Sequence, residues 1–298
     1  MEKIQLEKIK NRAPKKYNVN EVFFNSKLET QTIEYLKNQN YLTYEGINKI
    51  LMIKFNETYP FGYVLKCDNE IVGFLGTIFS QRKINNKNYI YCNLHTWIVN
   101  KSHRLNSYLL LLPLIERNCL IMTFTPVKSL IGLYQKFGFE KLEMKYKVIS
   151  LISFFGFFKK NLLRIEKNFD QIKKKLNEDE WKIYQDHADS SFIKFIVFDV
   201  NDSSNFTLII STKVKKKFFN VFNILYISNK LFVKRNWQSI SKKILKEFKV
   251  YFCGQYFLDE TECAISNETS LSKNFIRNIC VKNLPADMRF DILYSEII

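Results

Sequence analysis

Two polar residues on one predicted strand, His95 and Asn93, and a tyrosine on a later predicted helix, Tyr134, are the groups best suited to moving protons. His95 and Asn93 stand two apart in Tyr89-Ile-Tyr-Cys-Asn-Leu-His-Thr-Trp-Ile-Val99, a run rich in β-branched and aromatic residues. Alternation along a strand puts both on one face, which makes that face a candidate active-site wall with Asn93 toward substrate. An imidazole of ordinary pKa, about 6.5, suits a base at neutral pH. A lone strand histidine serves structure as often as catalysis, and Tyr134 could equally pack its ring on a helix. Past Val99 the chain is polar (Asn100-Lys-Ser-His-Arg-Leu-Asn-Ser107) and then enters an apolar helix, Tyr108–Leu112, with a kink expected at Pro113. Lys101, His103 and Arg104 gather where that helix begins. Unbonded N–H groups and the positive end of the helix dipole favour an anion there, with the N–H groups of Arg104, Leu105, Asn106, Ser107, Tyr108 and Leu109 as the cradle. His103 and His187 read as surface residues, and Trp97 as core on the strand face opposite His95.

The elements that position these groups continue with a strand Leu120–Phe124, a turn at Thr125-Pro126 and a helix Leu130–Phe137 stopped by Gly138. Over roughly Tyr63 to Val148 this arrangement resembles the GNAT superfamily of acyl-CoA-dependent N-acyltransferases. In that family the central strand ends in a valine and a proline-aromatic-arginine turn, followed by Arg/Gln-x-x-Gly-x-Gly/Ala. The matching residues are Val99-Asn-Lys-Ser-His-Arg104 and Arg104-Leu-Asn-Ser-Tyr-Leu109. The family's Tyr-x-Lys-x-Gly-Phe is met by Tyr134-Gln-Lys-Phe-Gly-Phe139. Ser107 and Leu109 replace glycines that let the family's loop approach the cofactor pyrophosphate. Ser107 keeps an N–H and adds a hydroxyl; Leu109 adds bulk.

The resemblance implies an N-acyltransferase with acetyl-CoA as co-substrate, no metal, and a small-molecule amine as acceptor. It implies that the backbone near Val99 polarises the thioester carbonyl. Lys101 and Arg104 to Leu109 would hold the pyrophosphate, His95 would take the amine proton, and Tyr134 would be the general acid. Two other classes stay open. One is an aminoacyl-tRNA-dependent transferase of the Fem type, which pairs two such domains and would use basic charge to hold tRNA. The other is a non-catalytic binding protein.

A chain of 298 residues can form two medium domains, expected at 1–160 and 161–298. The fold class expected is α/β (α+β), a mixed, mostly antiparallel sheet flanked by helices, in two tandem GNAT-like domains. The formal charge of +17 invites nucleic acid or an anionic membrane. Over-use of Lys, Asn, Ile, Phe and Tyr offers compositional bias as a competing source of that charge, favoured because the lysines are spread along the sequence rather than gathered in a stripe. Six scattered cysteines and three histidines form no zinc or disulfide pattern. With no apolar run of membrane-spanning length and a charged N-terminus, a cytoplasmic location is expected. Oligomeric state is not legible.

In chain order, Met1–Asn20 reads as a loose arm, Leu28–Asn38 and Tyr44–Phe55 as two opening helices, and Phe61–Cys67 with Ile71–Phe79 as a hairpin. Gly73 and Gly76 within it signal a bulge or a close approach. Glu140–Ile149 is expected to close the first domain's sheet. The Phe-rich run containing Phe154 to Phe158, flanked by Lys159, Lys160 and Arg164, is either a seam between domains or a membrane-surface patch. Hairpin, strand, helix and strand then recur between Phe192 and Gly254 without the chemistry-bearing motifs. The tail closes on a strand, Phe290–Ile297.

Overall fold

A computed structural model of the chain describes residues 16–39, 46–48, 55–84, 87–150, 162–188, 191–216, 219–259, 263–264, 273–285 and 292–295. The chain forms two compact units. The first comprises Met1–Leu142, Asn278–Met288 and Tyr294–Ile297; the second comprises Glu143–Arg277, Arg289–Leu293 and Ile298.

In the first unit the strands are β1 (Tyr17–Val22), β2 (Gly62–Cys67), β3 (Glu70–Ile84), β4 (Lys87–Val99) and β5 (Leu120–Thr123), followed by the C-terminal end of β12 (Lys273–Lys282). Their order in the sheet is β1-β2-β3-β4-β5-β12. Pairing is antiparallel except for β4 with β5. Asp68 and Asn69 join β2 to β3 with φ of 48° and 72°, the left-handed pair that a two-residue hairpin of right-handed twist requires. Helix α1 (Lys27–Lys37) is capped by Ser26, whose side chain accepts from the N–H of Glu29, and it buries Leu36 with Val22, Val64, Phe74 and Ile98 on one sheet face. The other face carries a 3-10 helix (Lys101–Leu111) that runs into α2 (Leu112–Ile115), and then α3 (Ile131–Lys136). Pro113 falls in the first turn of α2, where its missing N–H costs nothing, so the tight helix changes to an α-helix there. Arg117 anchors the far end of α2, donating from a terminal nitrogen to Glu21 (2.6 Å) and from Nε to the Tyr63 hydroxyl (3.0 Å).

The second unit repeats this plan. Its strands are β6 (Glu140–Ser150), β7 (Leu163–Glu166), β8 (Ile193–Asp199), β9 (Phe206–Lys216), β10 (Phe219–Ile227) and β11 (Phe252–Phe257), in the order β7-β8-β9-β10-β11-β6. Again one pairing, β10 with β11, is parallel. Helices α4 (Phe169–Lys175) and α5 (Glu178–Asp186) precede β8, and α6 (Lys230–Phe248) links β10 to β11. Phe232, Val233, Trp237, Ile240 and Ile244 form the apolar stripe of α6 against Phe195, Ile209, Phe222 and Ile224.

Several expectations are revised. The strand from Glu140 does not close the first half's sheet: it pairs with β11, from Lys145↔Phe257 to Ser150↔Phe252. The place beside β5 is taken by Cys280–Lys282, which pair with Ile121–Thr123. An edge strand leaves its backbone groups open to any partner, and apolar alternation does not say which segment will take them. Tyr17–Asn20, read as part of a loose arm, belong to β1. The described part of the tail, 292–295, is a turn rather than a strand, with Ile292, Leu293 and Tyr294 buried. His187 is fully buried rather than on the surface, with Nδ1 2.8 Å from the Ile183 carbonyl. Phe154 to Phe158, and the Tyr44–Phe55 helix apart from 46–48, lie outside the described residues.

Gly254 is required by its neighbour, since a Cβ there would stand 2.1 Å from the Tyr146 hydroxyl oxygen. Gly254→Ala should therefore destabilise the protein by about 1–3 kcal/mol, and Tyr146→Ala in the same chain should remove most of that penalty. Chemical denaturation of the two single variants and the double variant measures the coupling; additive losses would mean that the tyrosine is not the obstacle.

Candidate active site

The register of β3 against β4 slips once, between Leu75 and Gly76. Leu75 faces Trp97 and Gly76 faces His95, so Thr96 is an extra residue, held at a φ of 44°. This bulge decides which side chains share a face. Simple alternation would put His95 and Trp97 on the same side. With Thr96 inserted, Cys92, Leu94 and Trp97 all join the helix-bearing face, while His95 stays with Asn93 on the other. The His95 ring lies over Gly76, where a Cβ would come within 2.2 Å of its Cε1, so that glycine meets both expectations, a register slip and a close approach. At Gly73 a Cβ would meet a Val99 methyl at 2.9 Å.

The bulge lies just past the point where the sheet opens. Parallel pairing of β4 with β5 ends at Asn93↔Met122, although β4 continues to Val99. The Asn100 N–H donates to the Val72 carbonyl at 2.8 Å, so Val99↔Gly73 is a non-hydrogen-bonded pair of the antiparallel ladder. The N–H and C=O of Val99 therefore point away from β3, toward the edge that β5 leaves uncovered. Arg104 Nε lies 3.4 Å from the Val99 carbonyl oxygen on that side. One residue later the 3-10 helix begins. Its N-cap, Asn100, makes no side-chain cap, and its first internal bond is from the His103 N–H to the Asn100 carbonyl (2.8 Å). The donors ahead of that bond are the N–H groups of Lys101 and Ser102.

The anion cradle expected over Arg104 to Leu109 thus shifts by about one turn. Those residues are already inside the 3-10 helix, and no sequence signal separates such a helix from a polar loop. Lys101, Arg104 and Leu105 are exposed, Leu105 to 91%; Asn106, Ser107 and Tyr108 are half-buried, and Tyr108 stacks on Phe137. Leu109 is core, packed with Leu110, Leu111 and the sheet. Its bulk points away from the helix start.

Of the proton-handling candidates, His95 is 9% exposed, with Nδ1 2.9 Å from Thr96 Oγ1, and burial lowers its pKa to about 4 rather than leaving it near neutrality. Asn93 is buried beside it. Tyr134 lies on the opposite face, buried edge-on against Trp97 (ring centroids 5.5 Å) and Phe139 (5.1 Å). The sheet separates His95 from Tyr134. His103, half-buried, sits 2.8 Å from the Tyr17 hydroxyl. Among the described residues no trio of His, Cys, Asp or Glu could hold a metal ion, and all six cysteines are buried thiols.

Two outcomes follow from burial. Leu109→Ala should cost about 2–5 kcal/mol in denaturant unfolding without altering the affinity of any anion at the helix start, as titration of the folded variant would show. In the unfolded chain His95 takes a proton near its ordinary value, 6.5, whereas in the folded chain it resists protonation until about 4. Between those values the unfolded state binds more protons, so stability falls as pH drops through that window, by up to about 3 kcal/mol, and levels off below it. Urea melts of wild type and His95→Gln should diverge in that direction; parallel pH profiles would contradict a buried neutral imidazole.

No family model matches the sequence, and no curated protein matches it. Solved structures do. A GCN5-related N-acetyltransferase from Anabaena variabilis aligns over 89% of this chain and 72% of its own, at 10% identity and a TM-score of 0.61. One from Kribbella flavida aligns over 89% and 70%, at 9% identity and 0.57. A conserved Enterococcus faecalis protein of unknown function, described as a probable N-acyltransferase, aligns over 89% and 71%, at 13% identity and 0.56. These likenesses span both units and rest on shape rather than sequence. The six-strand plan with one parallel pair, met twice in this chain, is the GCN5-related N-acetyltransferase fold.

Proposed function

We propose that the first unit is an acyl-CoA-dependent N-acyltransferase that moves an acyl group, acetyl by family default, directly onto the amine of a small molecule. The observation that carries this reading is the edge of β4 that no described strand covers beyond Asn93, where the Val99 N–H is directed into the gap left by β5, one residue from a helix start flanked by Lys101 and Arg104. A thioester carbonyl seated there would accept from the Val99 N–H, which stabilises the negative charge that develops on its oxygen. The pyrophosphate of CoA would meet the N–H groups of Lys101 and Ser102 and the two cationic side chains.

The acceptor nitrogen attacks the carbonyl carbon, the carbon–sulfur bond breaks, and the thiolate leaves. His95 has too low a pKa to strip a proton from a free ammonium ion. It can accept one from the nitrogen once that nitrogen has bonded to carbon, when it is far more acidic. The acceptor must then arrive already neutral. Tyr134, buried on the helix-bearing side of the sheet, would return a proton to the thiolate. Leu109 packs in the core, so its bulk does not stand at the helix start.

Calorimetry with acetyl-CoA and with CoA, followed by an amine acceptor screen, tests the proposal. Both nucleotides should bind, and turnover should rise with pH through the acceptor's own pKa with no inflection near 6.5. Tyr134→Phe should retain CoA binding and lose roughly 10²–10⁴ in turnover. Neither nucleotide binding, or a folded Tyr134→Phe variant with full activity, would reject the corresponding assignment. Binding of charged tRNA in preference to CoA would favour the Fem-type reading.

A further inference from the structure

We infer that Tyr35 keeps the start of the 3-10 helix open to an anion by holding the side chain of Asn100, which would otherwise close it. Asn100 is the N-cap of that helix, and asparagine is among the best capping residues because its amide oxygen reaches the N–H groups of the first turn. Its backbone is already extended as a cap requires, with a φ of −54° and a ψ of 139°. The other N-cap asparagines among the described residues all use that geometry. Asn168 accepts from the N–H groups of Asp170 and Gln171, Asn177 from that of Glu180 and Asn229 from that of Phe232, at 2.8–3.2 Å. Asn100 makes no such bond.

The reason lies on α1. The Tyr35 hydroxyl stands 3.1 Å from Asn100 Oδ1 and 3.1 Å from the Val72 carbonyl oxygen. A hydroxyl has one proton to give, and the Val72 carbonyl already receives the Asn100 N–H at 2.8 Å, so the amide oxygen is the acceptor in greater need. Tyr35 is half-buried against the core of Leu36, Val64, Phe74 and Ile98, which fixes its hydroxyl in place. With Oδ1 tied there, it is turned from the helix. The His103 N–H is already bonded to the Asn100 backbone carbonyl, so the donor that an Asn100 cap would take is the Ser102 N–H. That N–H, with the Lys101 N–H, is proposed to meet the pyrophosphate of CoA, and the identity of the anion rests on that reading. Tyr35 touches no substrate; it is a positioning residue that acts through Asn100. Without its hydroxyl, Asn100 would compete with the phosphate for a single donor.

The test uses the full chain with Tyr35→Phe, Asn100→Ala and the two together, each shown to be folded by its melting curve. Without ligand, hydrogen exchange at the Ser102 amide should slow by roughly two- to thirtyfold in Tyr35→Phe, the protection expected of an asparagine cap of ordinary strength. It should stay at the wild-type rate in Asn100→Ala and in the double variant. In calorimetry with CoA, Tyr35→Phe should weaken binding by a similar factor, and the double variant should bind within about twofold of Asn100→Ala. A merely structural role for the tyrosine would not be rescued by a second lesion. A Ser102 amide that exchanges as fast in Tyr35→Phe as in wild type, or a double variant that binds CoA no better than Tyr35→Phe, would overturn the inference. A wild type that binds no CoA, together with a protected Ser102 amide in Tyr35→Phe, would reject the transferase reading and still support Tyr35 as the residue that keeps this helix uncapped.

Discussion

Backbone hydrogen bonds that must go somewhere are the constraint on which the first unit depends. A strand buried in a sheet needs partners on both edges, and β4 has them only as far as Asn93 on the β5 side. Beyond that point the chain carries an extra residue at Thr96 and leaves the Val99 N–H and C=O aimed at an edge that no described strand covers. An unsatisfied donor in such a place is costly unless water or a ligand occupies it. The 3-10 helix that starts at Lys101 closes one side of the gap, and Arg104 reaches back to the Val99 carbonyl.

The second unit shows the same plan with different residues at the corresponding positions. Strand β10 also slips register once, between Ile224 and Tyr226 against β9, and also pairs in parallel with its next strand. Where β4 offers His95 beside its slip, β10 has Ile224 and Leu225, both buried. The helix that follows is capped by the Asn229 side chain, which accepts from the Phe232 N–H, whereas Asn100 makes no such bond. A side-chain cap satisfies the donors that an anion would otherwise meet. Bulge and fold are common to both units; the histidine and the uncapped helix start belong to the first alone.

Much of this was legible from residue patterns. Alternation gave the hairpins and placed Asn93 and His95 on one face; Gly138, at a φ of 78°, marked the end of α3. The two-unit repeat followed from element order. What stayed hidden was long-range or backbone-level. Lys273–Lys282 gives no hint that Cys280–Lys282 will sit beside a strand some 160 residues earlier, since pairing depends on which edge is open. Leu163–Glu166 is too short to stand out from the linker. The glycine that signals the bulge, Gly76, stands on the partner strand, whereas the extra residue itself is Thr96, a non-glycine at positive φ. Desolvation of His95 could be read only once Gly76 was seen beneath its ring.

On the proposed function, the open edge of β4 receives the thioester. The most direct measurement is the amide ¹⁵N–¹H spectrum of the protein titrated with acetyl-CoA and, separately, with CoA. Lys101 and Ser102 amides should shift with both ligands, and the Val99 amide should shift with acetyl-CoA and much less with CoA, which lacks the thioester carbonyl. A Val99 amide indifferent to acetyl-CoA, while amides elsewhere respond, would contradict it.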